Sequence, residues 1–166
     1  MGLDPGLSRF GYAVISGAPR RAPRAVAMGV LTTDAARPVP ERLAELQRDL
    51  RALFDEHPPA AVAVERVLFQ VNVRTAMAVG QASGVAMAEA AARHCPVAQY
   101  SPNEVKQAVT GYGSAPKRQV QRMVQTLLAL PALPSPPDAA DAAALALCHL
   151  AVAPLLEAAR RAEVGS

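Results

Sequence analysis

From Pro40 to His57, Leu43, Leu46, Leu50, Leu53 and Phe54 recur at spacings of three and four with charges between them, which predicts an amphipathic helix. Pro58 and Pro59 end it. The pattern then changes: Ala61, Val62, Ala63 and Val64 form a short unbroken apolar run, typical of a buried strand, with Glu65 at its carboxyl end. Upstream, Gly2-Leu3-Asp4 reads as the end of a strand that turns sharply at Pro5-Gly6. Gly11 to Ile15 and Ala25 to Thr32 follow as second and third strands, and their short connections predict an antiparallel meander. Asp4 is preceded by only three residues, whereas a strand usually has roughly 5–6. We therefore expect further apolar residues upstream in the reading frame; an in-frame stop just before Met1 would refute that.

Residues 73–94 predict a long helix, in which Gly80, Ser83, Gly84 and many alanines would permit close packing on a sheet. Val97 to Tyr100 reads as a strand. Ser101, Pro102 and Glu104 form a helix start, with a hydroxyl cap, proline at the first position and an acid three residues after the serine. That helix ends near Gly111, and the glycine-bearing loop through Pro116 leads to another helix from Lys117 to about Leu130. A proline-rich connection, 131–137, enters a final helix, with the charged tail beyond about Leu156 expected to fray. The order β-β-β-α-β-α-β followed by helices predicts one α/β domain over residues 1–166, a three-layer fold with a mixed five-stranded sheet flanked by helices.

Composition changes this picture little. Lys and Arg exceed Asp and Glu by 17 to 14, which is compatible with nucleic acid without requiring it. Cys95 and Cys148 are too far apart in sequence to suggest a zinc site and read as buried thiols of a reducing cytosol. No targeting segment or unbroken membrane-length apolar run is present, so a cytoplasmic location is expected.

The chemistry lies in the acids. Asp138 and Asp141 stand three residues apart at the mouth of the apolar run 142–147, so on a helix their side chains share one face. Acids in a first turn are also ordinary helix starters. What favours a site is that Asp4 and Glu65 both end strands, where α/β sheets place their active groups. Four gathered carboxylates are costly without cations, and hard oxygen donors suit Mg²⁺ or Mn²⁺. Two such ions, about 3.5–4 Å apart, can activate water against a phosphodiester. No phosphate-cradling glycine loop suggests triphosphate hydrolysis, and His57, His94 and His149 read as helix-end or packing residues.

Lys106, Lys117 and Arg118 flank the loop that holds Tyr112, and Arg74 opens the helix after Glu65; these are candidate DNA contacts. Lys106 and Lys117 carry extra weight because the chain has no other lysine. Phe69, near Gln70 and Asn72, either packs in the core or offers a ring to wedge between bases.

In order along the chain, Gly2-Leu3-Asp4-Pro5-Gly6 with Gly11-Tyr12, the segment from Val64 to Asn72, Gly80-Gln81-Ala82-Ser83-Gly84, Val105 to Gly111, Gly113 to Lys117, and Asp138-Ala139-Ala140-Asp141-Ala142 resemble the RuvC family of Holliday junction resolvases. The ordered set covers residues 2 to about 150. The resemblance implies an RNase H-like fold and a homodimer that nicks two opposed strands of a four-way junction symmetrically, with a divalent metal, in recombination and repair. By position it makes Asp4, Glu65, Asp138 and Asp141 the metal-binding catalytic acids, and Lys106 and Lys117 DNA contacts near the cleaved strand. It also implies a partnership with a branch-migration motor of the RuvA and RuvB type. With Glu65 as the anchor, the base-wedging aromatic that some family members carry aligns with Leu68 rather than Phe69, which would do that work from one position along. The long helix from residue 73 is our candidate dimer interface, since two symmetric nicks need two sites at fixed separation.

Two other classes remain to be weighed: a related RNase H-like nuclease acting on ribosomal RNA precursors, and a junction-binding protein without catalysis. The lysine-flanked loop and the Asp138/Asp141 spacing favour the resolvase over the first. The complete set of four acids argues against the second. Half of an actin-like or sugar-kinase ATPase is a further rival, for which the chain is too short.

Overall fold

The computed structural model describes residues 1–17, 22–67 and 73–164. Among these residues five strands and five helices follow in the expected order: β1 (Gly2–Asp4), β2 (Arg9–Ser16), β3 (Arg24–Thr32), α1 (Val39–Glu56), β4 (Val62–Glu65), α2 (Val73–Ala92), β5 (Val97–Tyr100), α3 (Pro102–Thr110), α4 (Lys117–Leu127) and α5 (Pro137–Val164). The strands form one mixed sheet in the order β3-β2-β1-β4-β5. The meander β1-β2-β3 is antiparallel, and β1, β4 and β5 run parallel. Though only three residues long, β1 is bonded on both sides, and the Met1 amino group donates to the Ala61 carbonyl.

Alternation along each strand splits the core into two layers. Leu3, Phe10, Val62 and Val64 pack with Leu46, Leu50 and Phe54 of α1 and Ala82, Ala86 and Ala90 of α2. Ala13 and Ala63 face the opposite way, onto Val105, Val120, Val124 and the run from Ala142 to Cys148 of α5. The helix α5 is thus buried along 142–148, which is why that stretch carries no charge.

The capping box of α3 forms as predicted: Ser101 accepts from the Glu104 amide, the Glu104 carboxylate accepts from the Ser101 amide, and Gly111 closes the helix at φ 75°. Two expectations need correction. Gly80 and Gly84 do not pack on the sheet; a Cβ on either would meet nothing within 4 Å, because they lie on the outward side of α2. The helix α4 stops at Leu127 rather than near Leu130, since the chain turns through Ala129 at φ 49° and the Leu130 amide donates back to the Gln125 carbonyl. The last helix, α5, continues to Val164, a stretch composed mostly of good helix formers.

Candidate active site

Strand parity gathers the acids. On β1, Leu3 points to the α1/α2 layer, so Gly2 and Asp4 point to α5; on β4, Val62 and Val64 leave Ala63 and Glu65 on that same face. Two glycines let α5 lie directly on the strands. A Cβ at Gly2 would strike the Ala142 carbonyl oxygen, and one at Gly11 would strike that of Asp138. Gly11 pairs with Asp4 across the β1-β2 ladder. The first turns of α5, with Asp138 and Asp141, therefore sit against the carboxyl end of β1.

The electrostatics report this crowding. Burial, then Asp141, Glu65 and Asp138, lift the Asp4 carboxyl from 3.8 to about 7. Burial and Asp141 also raise Glu65, against the opposing pull of Lys117 and Lys106. Two protein cations partly answer the charge. Lys117 Nζ lies 2.5 Å from Asp141 Oδ2, and although burial lowers the lysine, Asp141 and its neighbours hold it above its ordinary value. Arg9 donates from Nε (3.0 Å) and Nη2 (2.7 Å) to Asp138 Oδ2. Burial would raise Asp138, but Arg9 outweighs it and leaves that carboxyl below its usual range.

Beside these groups a cleft of about 240 Å³ is lined by Glu65, Asp141, Lys106 and Lys117, with Val105 and Leu145 among its apolar walls. Lys106 from α3 and Lys117 from α4 thus meet the acids of β4 and α5 in one place. Arg118 and Tyr112 are exposed, Tyr112 at 59%. Leu68, Phe69 and Asn72 lie outside the described residues, as does the side chain of Arg74. The histidines behave as expected: His57 caps α1, His94 follows α2, and His149 Nδ1 lies 2.8 Å from the Tyr100 hydroxyl. Both cysteines are free and buried. Arg9 is the site residue that sequence reading passed over; its signal was parity with Gly11 on a strand that α5 crosses.

Among the described residues, no three acids are drawn together as a closed ligand set for a metal. Asp138 and Asp141 are instead turned onto Arg9 and Lys117. The donor set nevertheless fits a hard divalent cation: all four groups are carboxylates on one face, and burial together with the charges of Asp141, Glu65 and Asp138 outweighs Lys117 at Asp4, so added positive charge is favoured there. Release of the two α5 carboxylates from their protein cations would complete it.

The family model described as crossover junction endodeoxyribonuclease RuvC matches residues 1–149. A RuvC of Salinispora arenicola is 49% identical over 150 residues, 90% of this chain and 86% of that protein. A RuvC of Roseiflexus sp. is 47% identical over 165 residues, 99% and 96% of the two chains. The solved structure of Thermus thermophilus RuvC with a Holliday junction substrate superimposes with a TM-score of 0.86 at 34% identity, covering 92% of each chain. These likenesses agree with the RNase H-like layering of the sheet and helices. The chain belongs to the RuvC family of crossover junction endodeoxyribonucleases.

Proposed function

We propose that this protein resolves four-way DNA junctions by nicking two opposed strands symmetrically in recombination and repair, with Asp4, Glu65, Asp138 and Asp141 as its catalytic acids. The observation that carries the proposal is the convergence of these four carboxylates on one sheet face, beside a cleft bearing Lys106 and Lys117. The relatives are crossover junction endodeoxyribonucleases by name, and the Thermus structure contains a Holliday junction. The acid set disfavours a binder without catalysis, and the family disfavours a nuclease of ribosomal RNA precursors.

In this reading the four acids would hold two Mg²⁺ ions, with Mn²⁺ as a substitute. When bound, such ions would supply Lewis acidity toward a water and toward the leaving oxygen of a phosphodiester, the chemistry of a hydrolysis that leaves 5′-phosphate ends. The chain's own residues do the rest. Asp4 and Glu65, fixed at strand ends, set one side of the site, while Asp138 and Asp141 close it from α5. Lys106 and Lys117 line the cleft as phosphate contacts, with Arg118, Tyr112, Arg74 and Asn72 extending the DNA surface and Phe69 or Leu68 supplying the base wedge.

Residues 1–166 act as one nuclease domain, paired with a second copy. Helix α2 suits that contact: Met77 is 57% exposed there, and Gly80 and Gly84 leave open space in which another backbone fits closely. The dimer works in the cytoplasm with a branch-migration motor of the RuvA and RuvB type; no helix among the described residues is long and apolar enough to cross a membrane. The test is cleavage of a mobile four-way junction against linear duplex of the same sequence in Mg²⁺, Mn²⁺ or EDTA. Metal-dependent paired nicks in the junction support the proposal; cutting of both substrates alike, or of neither, refutes it.

A further inference from the structure

We propose that Arg9 is a positioning residue that exchanges Asp138 for a backbone phosphate when the junction binds, releasing the carboxylate to the metal. This rests on the function proposed above and adds a group that neither the acids nor the lysines account for.

The placement follows from the strand. Arg9 and Gly11 are two residues apart on β2 and so share a face, and Gly11 lies directly beneath the Asp138 carbonyl. The guanidinium is thereby delivered to the first turn of α5, where Nε and Nη2 both donate to one oxygen, Asp138 Oδ2. A metal and a guanidinium cannot share that oxygen without repulsion, so Arg9 and a divalent cation compete for it.

The rest of the environment makes the exchange feasible. The Arg9 side chain is 52% exposed and that of Asp138 27%, so the pair is half solvated and weak. Nη1 donates to nothing among the described residues, which leaves the outward edge of the guanidinium able to meet a phosphate. The backbone beneath is held. Arg9 pairs with Thr32, the Thr33 amide donates to the Ser8 carbonyl, and buried Arg42 donates to the Ser8 and Thr33 hydroxyls. A long cationic side chain on a fixed Cα can move between two anions without disturbing Asp4 on the neighbouring strand. A phosphate that draws Arg9 away therefore raises the metal affinity of Asp138, and by reciprocity the metal raises affinity for DNA.

The experiment has two readouts besides cleavage, on the full chain. Free Mn²⁺ is titrated by electron paramagnetic resonance against wild type, Arg9→Gln and Arg9→Lys without DNA, and junction affinity is measured in EDTA across a salt series. We expect Arg9→Gln to bind Mn²⁺ about 3–10-fold more tightly than wild type, because the competitor is gone. Its log–log salt slope should fall by about 0.9, the loss of one phosphate contact. Arg9→Lys should restore the slope. Unchanged or weaker Mn²⁺ binding by Arg9→Gln, or an unchanged salt slope, overturns the inference while leaving the proposed function standing. A wild-type protein that binds neither Mn²⁺ nor junction overturns both.

Discussion

Replacing Asp4 by Asn should stabilise the metal-free protein while destroying its nuclease activity. Asp4 is largely buried beneath α5 with three other acids around it, and its carboxyl is lifted from 3.8 to about 7. The sign follows directly. Between those two values the folded state keeps a proton that the unfolded chain releases, so stability falls as pH rises from about 4 through about 7. Above that window the full cost of the ionised carboxylate is present. A displacement of about three pH units, at about 1.36 kcal/mol each, sets an upper bound of roughly 4 kcal/mol. Partial solvent access and the rearrangement of neighbours reduce this to an expected gain of about 2 kcal/mol for Asp4→Asn at pH 8. For a domain of this size about 2 kcal/mol corresponds to a rise in Tm of roughly 4–8 °C. The assay is thermal unfolding of wild type and variant in EDTA at pH 5 and pH 8, repeated with Mg²⁺. At pH 5 the gain should shrink, because wild-type Asp4 is already protonated, and Mg²⁺ should raise the wild-type Tm more than that of the variant. An Asp4→Asn protein no more stable than wild type at pH 8, or a difference independent of pH, would refute the reasoning.

Three further perturbations probe other parts of the account. Lys106→Ala, which removes a cation from the cleft wall, should weaken junction binding and lower the salt slope by about 0.9; an unchanged slope would place Lys106 off the DNA. Gly11→Ala drives a methyl into the Asp138 carbonyl, so α5 must shift; we expect a loss of about 1–3 kcal/mol in unfolding assays and impaired cleavage, since overpacking a rigid contact has that scale. Glu89, which joins α2 to α1, is 5% exposed and accepts from Arg51, Gln47 and Arg93. Its hydrogen bond from Arg51, opposed by burial and aided by Gln47 and Arg93, holds the carboxyl at about 2. The stability it contributes is complete above about 4.5 and lost as pH falls through about 2. Denaturant titration of Glu89→Gln at pH 7 should show a loss of about 2–3 kcal/mol, with wild type and variant converging in acid.

What could be read from the sequence was what is local or periodic. The α1 stripe, the Ser101/Glu104 cap and the acid after the β4 run each reside in a few neighbouring residues, and each formed as expected. That the four acids share one face was legible because strand ends and a spacing of three on a helix fix direction without knowledge of the tertiary fold. Gly2 and Gly11 were legible as glycines but not as the seats of α5, since that requires knowing which strands the helix crosses. The same gap concealed Arg9. Helix α2 is small and apolar on nearly every side, so periodicity could not tell that Gly80 and Gly84 face outward whereas Ala82 and Ser83 are buried. Arg42 reads as a solvated charge among other helix charges, yet it is buried and clamps the turn before β2 through two hydroxyls. The end of α4 was missed because Ala129, rather than glycine, takes the left-handed turn.

The central claim is that the four carboxylates form one metal-dependent cleavage site, and Asp141→Asn tests it most directly. Asp141 lines the cleft, is bonded to Lys117 and helps lift both Asp4 and Glu65. Junction binding in EDTA and nicking in Mg²⁺ would be measured on the same preparations of wild type and variant. The account predicts a variant that binds the four-way junction about as tightly as wild type and leaves every strand intact. Paired nicks at wild-type rates from Asp141→Asn would contradict it and remove Asp141 from the chemistry.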